Sequence, residues 1–396
     1  MDNKVIIAIA VVAVLAIAGT ATYFVLSNDK DEASYDSSAF NIISRVNSEG
    51  SGLYIKSSVA DTSGAVPVRI SNSTPFFGDG FTLSEANKAA WGGLILGDPG
   101  VSSIQHTQLA SIAAAVGLKF VQYTTEVGSV QNDTMYYVTN LANYGAITTA
   151  PDIQGGIIWE PQFQRVIQED PSYTTLALTN DLFDGHTCCI IAANHNWLKD
   201  NSGDAVKFLA GYIKAVDYIV NAKKTGGDAL ADVVTIAKNS TTGLDDAEVN
   251  AALANIDYLY ADEDDGSLDQ LTKDIESLAG SLKDIGAITK DYGSGSSFAK
   301  AFVDDTYLKD AVAGKASKEG TSSVKVAVIG GDIHQLAIHV AIAKNYFAEY
   351  GLTVNLSTGS NGGDIATLLD SKDVEIGFLG APPATIKTIN GEHIKV

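Results

Sequence analysis

Hydrophobic positions along this chain switch between two periods, and the switches mark its elements. Over residues 325–356, "KVAVIGGDIHQLAIHVAIAKNYFAEYGLTVNL" reads as strand, glycine turn, amphipathic helix and second strand. The same order recurs over residues 92–123, "GGLILGDPGVSSIQHTQLASIAAAVGLKFVQY", where a parallel crossover is the natural connection. Nearer the front, "FNIISRVN" and "GLYIKSS" read as strands, followed by a Ser-, Asn- and Gly-rich loop to about residue 80. "GGIIWEP" and "HTCCIIAAN" give two further short apolar strands. From residue 201 the period becomes helical. Val206, Leu209, Ile213, Val216 and Val220 form one stripe. Leu268, Leu271, Ile275, Leu278, Leu282 and Ile285 form another, with Ser267 as its cap. Both stripes read as core faces.

Two segments stand outside this pattern. Residues 5–26 carry no charge, and at 1.5 Å per residue they span a bilayer core of roughly 30 Å. Residues 1–26 therefore read as a membrane anchor or a signal segment. The apolar run continues past its small residues, which favours an uncleaved anchor. Lys4 before it and the acidic "NDKDEASYD" after it place the bulk of the chain outside the cytoplasm. Residues 27–38 and the small, polar 313–324 read as linkers.

Composition narrows the functions. Hydrophobic residues make up 45% and charged residues 18%, enough apolar content for a large core. A formal charge of −21 disfavours nucleic acid and anionic lipid as partners. It leaves an anionic small ligand open, because charges beyond roughly 10 Å are mostly screened. The two cysteines, Cys188 and Cys189, are neighbours and cannot staple distant segments. They read as small apolar residues at a strand start, and a bond between them would be strained.

The chemistry concentrates in turns that follow strands. "GGDIHQ" (330–335), "STGSNGG" (357–363), "LGAPPAT" (379–385) and "GDPGVSS" (97–103) each lead into a helix. In an open parallel sheet such turns gather at the carboxyl edge, where ligands bind. Free N–H groups at helix starts suit a small polar or anionic group. Four such turns in two segments point to two lobes facing one cleft. Trp159 and Glu160 end a strand. They read either as an aromatic plate beside a carboxylate in that cleft, or as a core tryptophan and a surface acid. No dinucleotide or P-loop fingerprint, no close His or Cys metal spacing and no G-x-S-x-G elbow occurs.

"YFAEYGLTVNL", "STGSNGG", "VEIGFLGAPPATI", "GDPGVSSIQHTQLA", "GGIIWEPQ" and "HTCCIIAANHNWL" together resemble the nitrate/sulfonate/taurine-type substrate-binding proteins of ABC transporters. The related binders of thiamine pyrimidine precursors share the pattern. The resemblance covers residues 40–310 and 323–396, but in the family the segment like 323–396 comes first. It therefore implies a circularly permuted chain, with the family's natural ends joined through 313–324.

The resemblance implies an α/β fold of the two-lobed, type II periplasmic-binding-protein kind, with a hinge and an added N-terminal transmembrane helix. Lobe one would comprise 40–93, 191–312 and 323–396, and lobe two 94–190. Carried over motif by motif, the ligand-binding candidates of lobe one are His334, Gln335, Ser357, Thr358, Gly359, Ser360, Asn361, Gly380 and Ala381. Those of lobe two are Ser102, Ser103, Trp159, Glu160 and His186. The implied function is an extracytoplasmic receptor, monomeric and without cofactor, that passes a small solute to an ABC permease and its ATPase. Two other readings stay open: an iron-using enzyme like the pyrimidine-synthesising relatives, and an anchored metal or solute sensor. Helix-start turns favour an oxyanion, whereas Asp332 and Glu160 favour an amine-bearing or pyrimidine-like solute, so the residues leave the ligand open.

Overall fold

The computed structural model describes residues 39–63, 89–124, 126–150, 152–183, 185–241 and 243–391. The expected anchor, the linker 27–38, most of the loop to residue 80 and the terminal "IKV" lie outside the described residues. Among the described residues no helix is long and apolar enough to cross a membrane.

Two six-stranded mixed sheets organise the chain. The first contains β1 (Phe40–Glu49), β8 (Thr187–Asn194), β9 (Ile256–Tyr258), β10 (Ser322–Ile329), β11 (Leu352–Gly359) and β12 (Ile376–Gly380), in the order β11-β10-β12-β8-β1-β9. β10 runs parallel to β11 and β12, and β8 is antiparallel to both β12 and β1. Strands from the front and the tail of the chain thus share one sheet, with β8 between them. β1 and β8 are buried along their whole length. That is why "CCIIAA" is continuously apolar: a central strand covered on both faces has no polar side to alternate with.

The second sheet contains β2 (Ser51–Lys56), β3 (Ile95–Gly97), β4 (Lys119–Gln122), β5 (Thr134–Val138), β6 (Gly155–Trp159) and β7 (Tyr173–Leu178), in the order β4-β5-β3-β6-β2-β7. Successive side chains in a strand point to opposite faces. Leu53, Leu96, Met135 and Ile157 accordingly enter one core, and their neighbours Tyr54, Ile95, Tyr136 and Ile158 enter the other. The first sheet has a larger core. Leu271, Ile275, Leu278, Ala279 and Leu282 of the helix Asp269–Asp284 face it, as their spacing predicts. The long helix Ser202–Thr225 packs there too and ends at Gly226, whose φ of 66° suits glycine.

The structure moves two of the expected boundaries. β2, expected within lobe one, hydrogen-bonds to β6 and β7 of the second sheet. The start of β8, expected in lobe two, lies in the first sheet. The cause is a single-residue crossing. β1 ends at Glu49, β2 begins at Ser51, and Gly50 between them has φ 91°. A Cβ at Gly50 would lie 2.2 Å from His334 Nε2, so this crossing accepts only glycine without rearrangement. The return crossing runs from β7 through the turn Thr179–Asp181 into β8. Thr179 Oγ1 donates to the Ser51 carbonyl at 3.0 Å, tying the two crossings together.

Candidate functional site

Both sheets end their parallel strands at the same gap. β3 leads into the helix Ile104–Ala115, β11 into Gly362–Asp370 and β12 into Ala381–Asn390. Each start is built locally. Ser103 Oγ accepts from His106 N at 3.1 Å, and Asn361 Oδ1 accepts from Asp364 N at 3.1 Å. The "GDPG" turn is held by Asp98, which is fully buried. Its two oxygens take Gly100 N at 2.8 Å and His106 Nδ1 at 2.8 Å. The first N–H groups of a helix have no carbonyl within the helix to bond. Those of Ile104, Gln105, Gly362 and Gly363 therefore remain as donors at the cleft. Gly362 also permits close packing, since a Cβ there would lie 2.6 Å from Pro383 Cγ.

The cleft measures about 390 Å³, within the range of small-molecule sites. Of the sequence candidates, His334, Ser360, Asn361, Gly380, Ser102, Ser103 and Trp159 line it. Trp159 and the two serines come from the second lobe, the others from the first.

His334 is the best-connected of these. Its Nδ1 lies 2.7 Å from Asp332 Oδ1 and its Nε2 lies 2.8 Å from the Gly50 carbonyl. Both partners are acceptors, so both ring nitrogens carry protons and the ring is an imidazolium. Burial alone would lower its pKa. The Asp332 carboxylate, with further help from Cys188 and the bond to Gly50, outweighs burial and raises it to about 9.

The remaining candidates sit elsewhere. Gln335 is fully buried and ties its own turn, accepting from Ile329 N at 2.9 Å and donating to Asp332 Oδ2 at 3.1 Å. Ser357, Thr358 and Gly359 were expected in a turn, yet β11 continues through them. Ser357 and Thr358 are exposed on that edge strand. Ala381 is buried in the first turn of its helix. Glu160 follows Trp159, and the alternation that turns Trp159 to the cleft turns Glu160 inward. Its Oε1 accepts from Asn255 Nδ2 at 2.8 Å and Gln164 Nε2 at 2.9 Å, while Oε2 has no partner. Burial pushes its pKa up, against those two bonds. His186 is buried at the return crossing, with Nδ1 2.9 Å from the Phe183 carbonyl and 3.2 Å from Glu49 Oε2. Burial would lower its pKa, but Glu49 outweighs it and the net shift is upward.

Asp332, weighed in the sequence for its charge, also lines the cleft, and several lining residues lay outside the sequence candidates: Gln105, Asn140, Pro383, Cys188 and Cys189. Gly362 and Gly363 were within the quoted "STGSNGG" turn, and extending the candidate set by two positions would have found them. For Cys188 the signal is absent from the sequence, because an irregular register turns it. Among the described residues no group of three or more His, Cys, Asp or Glu side chains could hold a metal ion.

Two six-stranded α/β sheets are thus joined by paired crossings, and the carboxyl edges of their parallel strands face one cleft. No family model matches the chain, and no curated protein matches it. Among solved structures the chain is similar to the periplasmic nitrate-binding protein NrtA from Synechocystis PCC 6803. The TM-score is 0.50 over 69% of this chain and 67% of that one, at 11% sequence identity. At that identity the likeness is one of fold.

Proposed function

We propose that this protein is a solute-binding receptor that closes its two lobes on a small molecule carrying an oxyanionic group. One observation carries the reading. The helix starts at Ile104 and Gly362 come from opposite lobes and line one cleft that also contains the His334 imidazolium. Unbonded N–H groups at the positive end of a helix dipole favour negative charge. His334 itself is committed: with both N–H groups bonded to protein acceptors it has no lone pair to act as a base. That supports capture of a ligand over proton-transfer chemistry. The fold-level likeness to a nitrate-binding protein agrees with an oxyanion.

On this reading the receptor works outside the cytoplasm and delivers its solute to an ABC permease and ATPase, with residues 1–26 holding it to the membrane. The strand order, in which tail and front share the first sheet, is consistent with a circularly permuted chain joined at 313–324. The test is a thermal-shift screen with nitrate, sulfate, taurine, small sulfonates, carboxylates and pyrimidines. A ligand that binds only the folded state must raise the midpoint. The reading expects at least one oxyanion to do so; silence across the panel overturns it.

A further inference from the structure

We infer that Cys188 and Cys189 form a reversible oxidation site at the floor of the cleft, closing to a disulfide between neighbours when a small disulfide compound enters. The placement is unusual. Adjacent residues in a regular strand face opposite ways. Here Ser48 pairs with Thr187 and Asn47 pairs with Cys189, so Cys188 is the extra residue of a bulge at the start of β8. The bulge turns both thiols toward the same space. Both line the cleft, both are free, and their Sγ atoms are 3.9 Å apart.

The surroundings divide the labour between them. The hydrogen bond from Cys189 holds the Cys188 thiol below its usual range; burial opposes this, and the nearby His334 and His186 add to it. The same bond, together with burial, holds Cys189 above its range. Cys188 is thus the thiolate and nucleophile. It attacks one sulfur of the entering disulfide, breaks the S–S bond and releases the first thiolate. Cys189 gives its proton to that leaving thiolate and attacks Cys188 Sγ, releasing the second thiolate, which takes a proton from water. From the thiolate and thiol the protein loses one proton and two electrons, and the small disulfide, with one further proton from water, becomes two thiols.

Neighbouring Cα atoms are only ~3.8 Å apart, below the ~4.4–6.8 Å that disulfides prefer, so the ring is strained and easily reduced. A labile bond of that kind suits a reversible site better than a structural one. Ring closure also removes the Cys188 thiolate, which changes the charge that an entering solute meets. That consequence rests on the receptor reading above, whereas ring closure is read by mass alone.

The chain has two cysteines in all, so no other thiol competes. The experiment treats the folded chain with 2-hydroxyethyl disulfide, stops the reaction with acid and records the intact mass. The expected product is lighter by two hydrogens, carries no adduct and returns to the starting mass with dithiothreitol. Cys189→Ser should stop at a mixed disulfide on Cys188, and Cys188→Ser should react about tenfold more slowly or less. A wild-type chain that keeps the mixed adduct, or does not react, overturns the inference. So does a Cys188→Ser variant that reacts as fast as Cys189→Ser.

Discussion

His334 Nε2 donates to the Gly50 carbonyl at 2.8 Å, so a side chain of the first lobe grips the residue at which the chain crosses to the second. The same carbonyl accepts from Glu160 N at 2.9 Å, where β6 ends. One backbone oxygen thereby joins the crossing, the first lobe and the second sheet. The cleft residue and the crossing are one assembly.

This assembly makes stability depend on pH. His334 is raised from an unfolded value near 6.5 to about 9. Its contribution is fully present below the unfolded value and is lost as pH rises through the folded one. The midpoint of unfolding should therefore fall between neutral pH and about 9. In His334→Gln that slope should shrink, with a loss at neutral pH on the order of 1–3 kcal/mol. Thermal denaturation at a series of pH values checks both. An unchanged slope in the variant would place the titration on another group.

Gly50 should tolerate no side chain. Its φ of 91° is costly for any L-residue, and a Cβ would press on His334 Nε2 and on Ile256 Cγ1 at 2.8 Å. Gly50→Ala is expected to cost at least about 2 kcal/mol in urea unfolding. A near-neutral result would show that this crossing is softer than its geometry implies.

Glu160 should be replaceable with benefit. Its raised pKa means that the folded state holds the proton more tightly than the unfolded chain does. That contribution is present below the unfolded value and is lost as pH rises through the folded one. Ionising the buried carboxyl leaves a charge with one unpartnered oxygen. Glu160→Gln keeps an acceptor for Asn255 and Gln164 and removes the charge. It is expected to gain on the order of 1 kcal/mol at neutral pH and to flatten the stability profile above acid pH. A loss at neutral pH would mean that the carboxylate's charge, near the His334 imidazolium, is the favourable state.

The long apolar runs and stripes were legible because burial dictates them directly. β8 and the helix Asp269–Asp284 follow from the spacing of residues such as Ile190, Ile191, Leu271 and Ile275. The turn-to-helix starts at Ser103 and Asn361 were legible too, since capping is local chemistry. Sheet membership of β2 was not, because it depends on one φ angle at Gly50 and on the ring of His334, 284 residues away. The burial of Glu160 and His186 was hidden for a related reason. A strand end shows that residues are near an edge, but alternation and a partner such as Glu49 decide which way each side chain turns. Ser357 and Thr358 read as turn residues by composition, yet pairing with β10 keeps them in the strand.

The most direct measurement is titration calorimetry of the chain with nitrate, sulfate, methanesulfonate and taurine, repeated on Trp159→Ala from the second lobe and Asn361→Ala from the first. A cleft shared by both lobes predicts one bound molecule per chain for at least one of these, weakened about tenfold or more by either substitution. Ser357→Ala, on the exposed edge strand, should leave the affinity unchanged. No binding heat with any of them, or an affinity that ignores the substitutions in one lobe, would contradict a receptor that closes around its solute.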